Sequence, residues 1–227
     1  MTSDVLEPRQ TRIELSLAEE NLVEQLRNII LKLSNMVRDI NSILDDIFND
    51  MFESAKLKVP RLLALYREIC EDNRRTKLYL ARISIGLQNS KYYLEIINET
   101  INILESLYIV TTAISAIIKQ NAVVKESSIL YLQKIMMLLS NLLNDYAELL
   151  KMLIGAPSKF LEISDRGIKT LNEIRDIFEG LFPDILSGED RNLVQIIALI
   201  AQELRFIIRS STNILEDLQC LQIMKQI

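Results

Sequence analysis

A chain of 227 residues, 49% of them hydrophobic, is long enough to bury a sizeable core, as one elongated domain or two small ones. Its 26 basic and 31 acidic residues leave a net charge of -5 without a concentrated basic stripe, which argues against nucleic acid, because phosphate neutralisation needs clustered Lys and Arg. There is no His, which removes the usual general base, the commonest transition-metal ligand and any His-based triad.

With only 5 Gly and 4 Pro, the chain has few breakers, and its Ile-rich segments run at helical rather than alternating spacing. The expected fold class is therefore all-α, with six long helices. Residues 1–15 read as an irregular N-terminal arm containing Glu7-Pro8, too polar for a secretion signal. Ser16 is placed to cap the first helix, with Glu19 completing a capping box. That helix runs to about Phe52 and ends on Asp45, Asp46, Asp50 and Glu53, either a solvated acidic end or a patch facing a cation or partner.

The second helix is expected from Pro60, in its first turn, to Leu87. Its stripe opens with Leu62, Leu65 and Ile69. Core spacing then puts Asp72 and Thr76 where apolar residues belong. A buried carboxylate is costly unless paired, hydrogen-bonded or metal-bound. Either the helix rotates so that Asp72 reaches solvent or a nearby cation (Arg67, Arg74, Arg75, Lys77 and Arg82 are at hand), or Asp72 is a ligand.

A joint at 88–90 leads to a third helix reaching Ile118, and residues 119–125 close the first half. The fourth helix ends at Gly155-Ala156-Pro157, and the fifth runs from Ser158 to about Leu181, with Gly167 inside it to admit a close neighbour. Residues 182–190 form the longest loop, and the sixth helix spans about Asp190 to Leu218. The apolar tail Leu215–Ile227 is a candidate self-association surface. Leu107–Ile118, Ile129–Leu143 and Ile196–Ile208 are each too short or too interrupted by polar residues for a membrane span, so they read as bundle helices. Cys70 and Cys220 lie far apart and read as buried free thiols of a reducing cytoplasm.

The chain also repeats itself. A shift of 106 lays Leu26–Ile47 over Leu132–Leu153, matching the Leu-Ser-Asn triplets at Leu33-Ser34-Asn35 and Leu139-Ser140-Asn141, and Asp39 with Asp145. Glu68-Ile69 matches Glu162-Ile163, and Ile96-Ile97 matches Ile196-Ile197. Two tandem three-helix units follow, over 16–120 and 121–227.

In each unit the middle helix carries a carboxylate pair on one face, Glu68 with Asp72 and Glu162 with Asp165. Glu105 and Glu203, on the third helices, would complete oxygen-only sites for Mg, Mn or Fe. Ordinary surface or salt-bridge roles explain the same pattern, and Arg205 and Arg209 are candidates to neutralise Glu203 or to pair with Glu162 or Asp165. Gly155 and Gly188 are isolated, so no phosphate-cradling loop is present, and no hydroxyl has a visible activating base. No enzyme is expected, and no cofactor is required.

Two consecutive three-helix units with acidic clusters at Glu68, Glu71, Asp72 and at Glu162, Asp165 resemble the PhoU-like family of phosphate-uptake regulators. The run Glu203-Leu204-Arg205-Phe206-Ile207-Ile208-Arg209, followed by Asn213-Ile214, is similar to that family's third-helix motif, with Arg205 and Arg209 standing where carboxylates would be expected. Leu104-Glu105 keeps the comparable position in the first unit, with Ile103 and Ile109 in place of Asp. The resemblance implies a PhoU-like helical bundle. It also implies a non-enzymatic, cytoplasmic regulator or adaptor of phosphate or anion transport, membrane-associated through a transporter partner, not itself membrane-spanning, and a homo-oligomer. The alternatives are a divalent-metal-binding helical protein and a purely structural bundle.

Overall fold

The computed structural model describes residues 16–87, 89–153, 157–186 and 190–225. Among these residues it forms α1 (Leu17–Phe48), α2 (Phe52–Ile83), α3 (Ser90–Gln120), α4 (Glu126–Met152), α5 (Pro157–Leu186) and α6 (Arg191–Met224), with a 3-10 turn at Ser84–Gly86. The fold is an all-α, six-helix bundle. The expected arm over residues 1–15, the Gly155-Ala156 stop and Gly188 lie outside the described residues.

Two helix starts follow from the side chain in front of them. Ser16 Oγ accepts the Glu19 N–H at 3.2 Å, and Asp190 Oδ1 accepts the Asn192 and Leu193 N–H groups at 2.9 and 3.3 Å. The reciprocal half of the capping box does not form, because the Glu19 carboxylate is engaged elsewhere. It accepts the Tyr93 hydroxyl of α3 and the Lys225 ammonium after α6, each at 2.7 Å.

Several boundaries differ from expectation. α1 stops at Phe48, where Asn49 caps it and Asp50 takes a left-handed φ of 58°. The Met51 N–H then reaches back to the Asp46 carbonyl at 2.8 Å, and α2 starts at Phe52. Pro60 therefore sits inside α2 rather than in its first turn. A proline there lacks the N–H that the helix ladder uses, but fully buried Ala55 anchors the turn preceding it. α5 continues to Leu186 with Pro183 in its last turn, so helix replaces most of the expected 182–190 loop. α6 extends past Leu218, and Leu215, Leu218 and Leu221 belong to the core. The tail is thus largely structural, with Ile223 and Met224 its exposed apolar side chains among the described residues.

The acidic end of α1 is not simply solvated either. Asp46 is 4% exposed, and the Lys58 ammonium of α2 lies 2.6 Å from its carboxylate. α3 alone among the described helices is long and apolar enough to cross a membrane; 56% of its most apolar window is buried in the bundle.

α1 packs most extensively against α4, and α3 against α6; α2 lies against α1 and α3, and α5 against α4 and α6. One continuous core joins all six helices. At the α1–α4 seam, small side chains meet: Ser34 is fully buried, and its Oγ lies 3.0 Å from Ser140 Oγ and 3.1 Å from the Ser140 carbonyl, to which it donates. Arg38 reaches in from the exposed edge, donating from Nε to Ser140 Oγ and from Nη2 to Ser34 Oγ and Asn144 Oδ1. Two small residues let the helices approach, and the hydrogen bonds satisfy the polar atoms that the approach buries.

Two substitutions test this packing. Ser140→Leu overfills the seam and strands the polar groups of Ser34 and Arg38, so its urea midpoint should fall by the equivalent of about 1–3 kcal/mol. Gly167 behaves otherwise than expected: a Cβ placed there would meet Leu215 and Leu142 side chains at an ordinary 3.5–3.6 Å, so the close neighbour does not require glycine. Gly167→Ala should therefore raise the midpoint by about 0.5–1 kcal/mol through helix propensity.

Candidate functional site

The carboxylates singled out from the sequence fall into three places. Glu68 and Asp72 share a face of α2, as their spacing requires, and both point to Lys32 of α1. The Lys32 ammonium donates to Glu68 Oε1 and to Asp72 Oδ2, each at 2.6 Å. Burial works against the Lys32 charge, but the hydrogen bonds and attraction of Asp72 and Glu68 outweigh it and hold its pKa above the ordinary lysine value. The cation beside Asp72 is thus a lysine from a neighbouring helix, not one of the five Arg and Lys residues nearby in sequence.

The helix does rotate. Its buried line runs through Leu62, Ile69, Asn73, Thr76 and Leu80, so position 73 rather than 72 faces the core. Asn73 Oδ1 accepts the Thr100 hydroxyl at 3.1 Å, and Thr76 donates to Gln25 at 3.1 Å. Polar residues at core positions are therefore tied to α3 and α1, while Asp72 lies at the edge.

Glu162 and Asp165 are exposed on α5, and neither makes a hydrogen bond or close ion pair among the described residues. Arg205 and Arg209 do not meet them. They line an α5–α6 groove beside Arg175, and from Asp165 to Arg175 the helix rises roughly 15 Å. The cation close to the Glu162 and Asp165 turn is Arg166, whose guanidinium forks onto Asp145 of α4, with Nε 2.9 Å from Oδ2 and Nη2 on Oδ1.

Glu105 and Glu203 do come together, on the walls of a cleft of about 430 Å³ between α3 and α6. Glu203 is 6% exposed, whereas Glu105 is open to solvent. Glu99 lies on the same wall and accepts Asn213 Nδ2 at 2.7 Å and Asn102 Nδ2 at 3.0 Å. Burial opposes the Glu99 charge, but hydrogen bonds from Ser210, Asn213 and Asn102 and the attraction of Arg209 hold its pKa below the ordinary glutamate value. Along the same α3–α6 seam, Asp217 lies beside Glu95. Burial, reinforced by Glu95, Glu99 and Glu216, pushes the Asp217 pKa up to about 7.

A hard divalent cation needs several oxygen ligands converging on one point. The six carboxylates lie on different seams, Lys32 fills the point of convergence of Glu68 and Asp72, and no group of three or more Asp, Glu or Cys among the described residues is placed to hold a metal ion. Among the described residues, then, the six carboxylates do not converge on one point. Lys32 carried no signal in the sequence, because 36 and 40 positions separate it from its partners. Glu99 was also missed; its one sequence cue is Asn213 of the Asn213-Ile214 pair, whose side-chain amide donates to it. Comparison with protein-family models, with curated proteins and with solved structures finds no match to this chain.

Asp217 makes the seam pH-sensitive. Between about pH 4 and 7 the folded chain holds a proton there that the unfolded chain releases, so this group favours folding at low pH and loses that contribution as pH rises through 7. Relative to Asp217→Asn, the wild-type melting temperature should therefore drop between pH 5 and pH 8. Discounted for partial solvent screening, the drop is about 2–4 °C, read by circular dichroism at both pH values.

Proposed function

We propose that this protein is a non-enzymatic PhoU-like regulator or adaptor of phosphate or anion transport, built as two tandem three-helix units over 16–120 and 121–227, and that it works through protein contacts rather than through a bound metal. The observation that carries this reading is the double contact of Lys32 with Glu68 and Asp72 at 2.6 Å. The acidic pair that the family resemblance marks as a metal motif is neutralised from within. A fixed ammonium supplies the positive charge, without the coordination geometry a metal demands or its dependence on ion supply.

Two further features support it. Ser34 and Ser140, which a shift of 106 superposes, touch each other at the α1–α4 seam, as two copies of one unit related by a local two-fold axis would have them do. The long helices also present mixed charged faces, with ion pairs such as Arg74–Glu71 at 2.8 Å on the outside of α2, which suit recognition of another protein at its rim. On this reading the chain is cytoplasmic, reaches the membrane only through its partner and pairs with copies of itself. A purely structural bundle is the competing assignment.

Two measurements separate these readings. Mild-detergent purification of the tagged chain from its own host should retain a stoichiometric anion permease, and a preparation retaining no membrane protein sinks the adaptor reading. The wild-type melting temperature should also be indifferent to Mn²⁺ and to chelator, whereas Lys32→Gln, with its acidic pair uncovered, should gain a saturable rise with Mn²⁺. A saturable Mn²⁺ effect on the wild type would instead favour the metal-binding alternative.

A further inference from the structure

The protein is acidic overall, yet three guanidinium groups line one groove. Arg205 and Arg209 lie one turn apart on α6, and Arg175 faces them from α5, around a groove of about 470 Å³. All three side chains are exposed. Arg175 is already positioned: its Nη2 donates to Thr212 Oγ1 at 2.9 Å and its Nη1 to Asn172 Oδ1 at 3.2 Å. Arg205 and Arg209 make no hydrogen bond or close ion pair among the described residues, although Arg209 is near enough to Glu99 to attract it. Glu179 is the one carboxylate lining the groove, so the lining carries an excess of positive charge.

The surroundings strengthen those charges. Phe178 and Ile208, 9% and 8% exposed, supply an apolar floor, and charges above a low-polarity wall interact more strongly than charges in open water. Like-charged guanidiniums held together repel one another, and an anion between them relieves the repulsion. Arg presents a planar fork of N–H donors that matches two oxygens of a phosphoryl group, which Lys does not.

The geometry points to this α5–α6 groove as a binding site for a phosphoryl anion, held by Arg175, Arg205 and Arg209. Inorganic phosphate and a phosphomonoester lipid headgroup share this chemistry. The site stands apart from the adaptor reading, since it uses no transporter surface and either can fail alone.

The test uses the full chain at low ionic strength. One arm is calorimetric titration with sodium phosphate. The other is sedimentation with vesicles of phosphatidylcholine, with or without phosphatidic acid. Saturable binding of phosphate, weakened about tenfold by Arg205→Gln and abolished in the Arg175→Gln/Arg205→Gln/Arg209→Gln variant, supports a site for the free anion. Binding confined to phosphatidic acid vesicles, with the same losses, supports the same site with a lipid ligand. Arg205→Lys keeps the charge but not the fork and should recover only part of the affinity, which separates recognition from simple attraction. Helical circular dichroism of every variant should match the wild type, because the side chains replaced are exposed. No binding in either arm, or binding undiminished in the triple variant, overturns the proposal.

Discussion

Everything in this bundle is arranged about the seam where α1 meets α4. Two serines, one fully buried and the other 4% exposed, let the most extensively packed helix pair draw close, and Arg38 closes the polar network from the rim. Leucines at those positions would contribute more apolar area but would hold the helices apart. Because α2 rests on α1 and α5 on α4, the separation at this seam sets where the outer helices lie. The contacts of Lys32 with Glu68 and Asp72, and of Arg166 with Asp145, then tie each outer helix to the inner helix it rests on.

Helical periodicity and side-chain caps were readable in the sequence because both are local. Ser16 and Asp190 announce helix starts through hydrogen bonds that span at most three residues. What was not readable depended on competition between local and distant partners. Glu19 has the spacing of a capping box, yet two distant donors take its carboxylate. Pro60 has the look of a helix start, yet burial of Ala55 carries the helix back to Phe52. The interruption at Asp72 was real, but it was offset by one residue: Asn73 takes the core position, and Asp72 turns to Lys32.

The candidate sites divide along the same line. That Glu68 and Asp72 share a face follows from helical geometry alone. That a lysine lies between them does not, since nothing at Lys32 distinguishes it from other surface lysines until α1 and α2 are docked. In the sequence Glu105 and Glu203 read as third-helix members of two separate carboxylate sets, one per unit, yet they line one cleft; Arg205 and Arg209, offered as partners of Glu203 or of Glu162 and Asp165, lie a long way up α5 from the latter two. Position along a helix axis is the coordinate that a repeat with uncertain loop lengths determines least well.

The contact of Glu19 with Lys225 has a consequence for how the chain comes into being. These groups are 206 positions apart, and at roughly 5–20 residues per second a ribosome needs about 10–40 s to make the second after the first. Throughout that interval α1 displays a stripe of leucine and isoleucine whose main cover, α4, is made only partway through. Until α4 arrives, α2 and α3 are the helices at hand that pack on α1, and the Glu19–Lys225 contact forms only when the final turn of α6 emerges. Truncated products lacking that turn would lose this contact together with the buried Leu221 side chain, leaving apolar core surface uncovered.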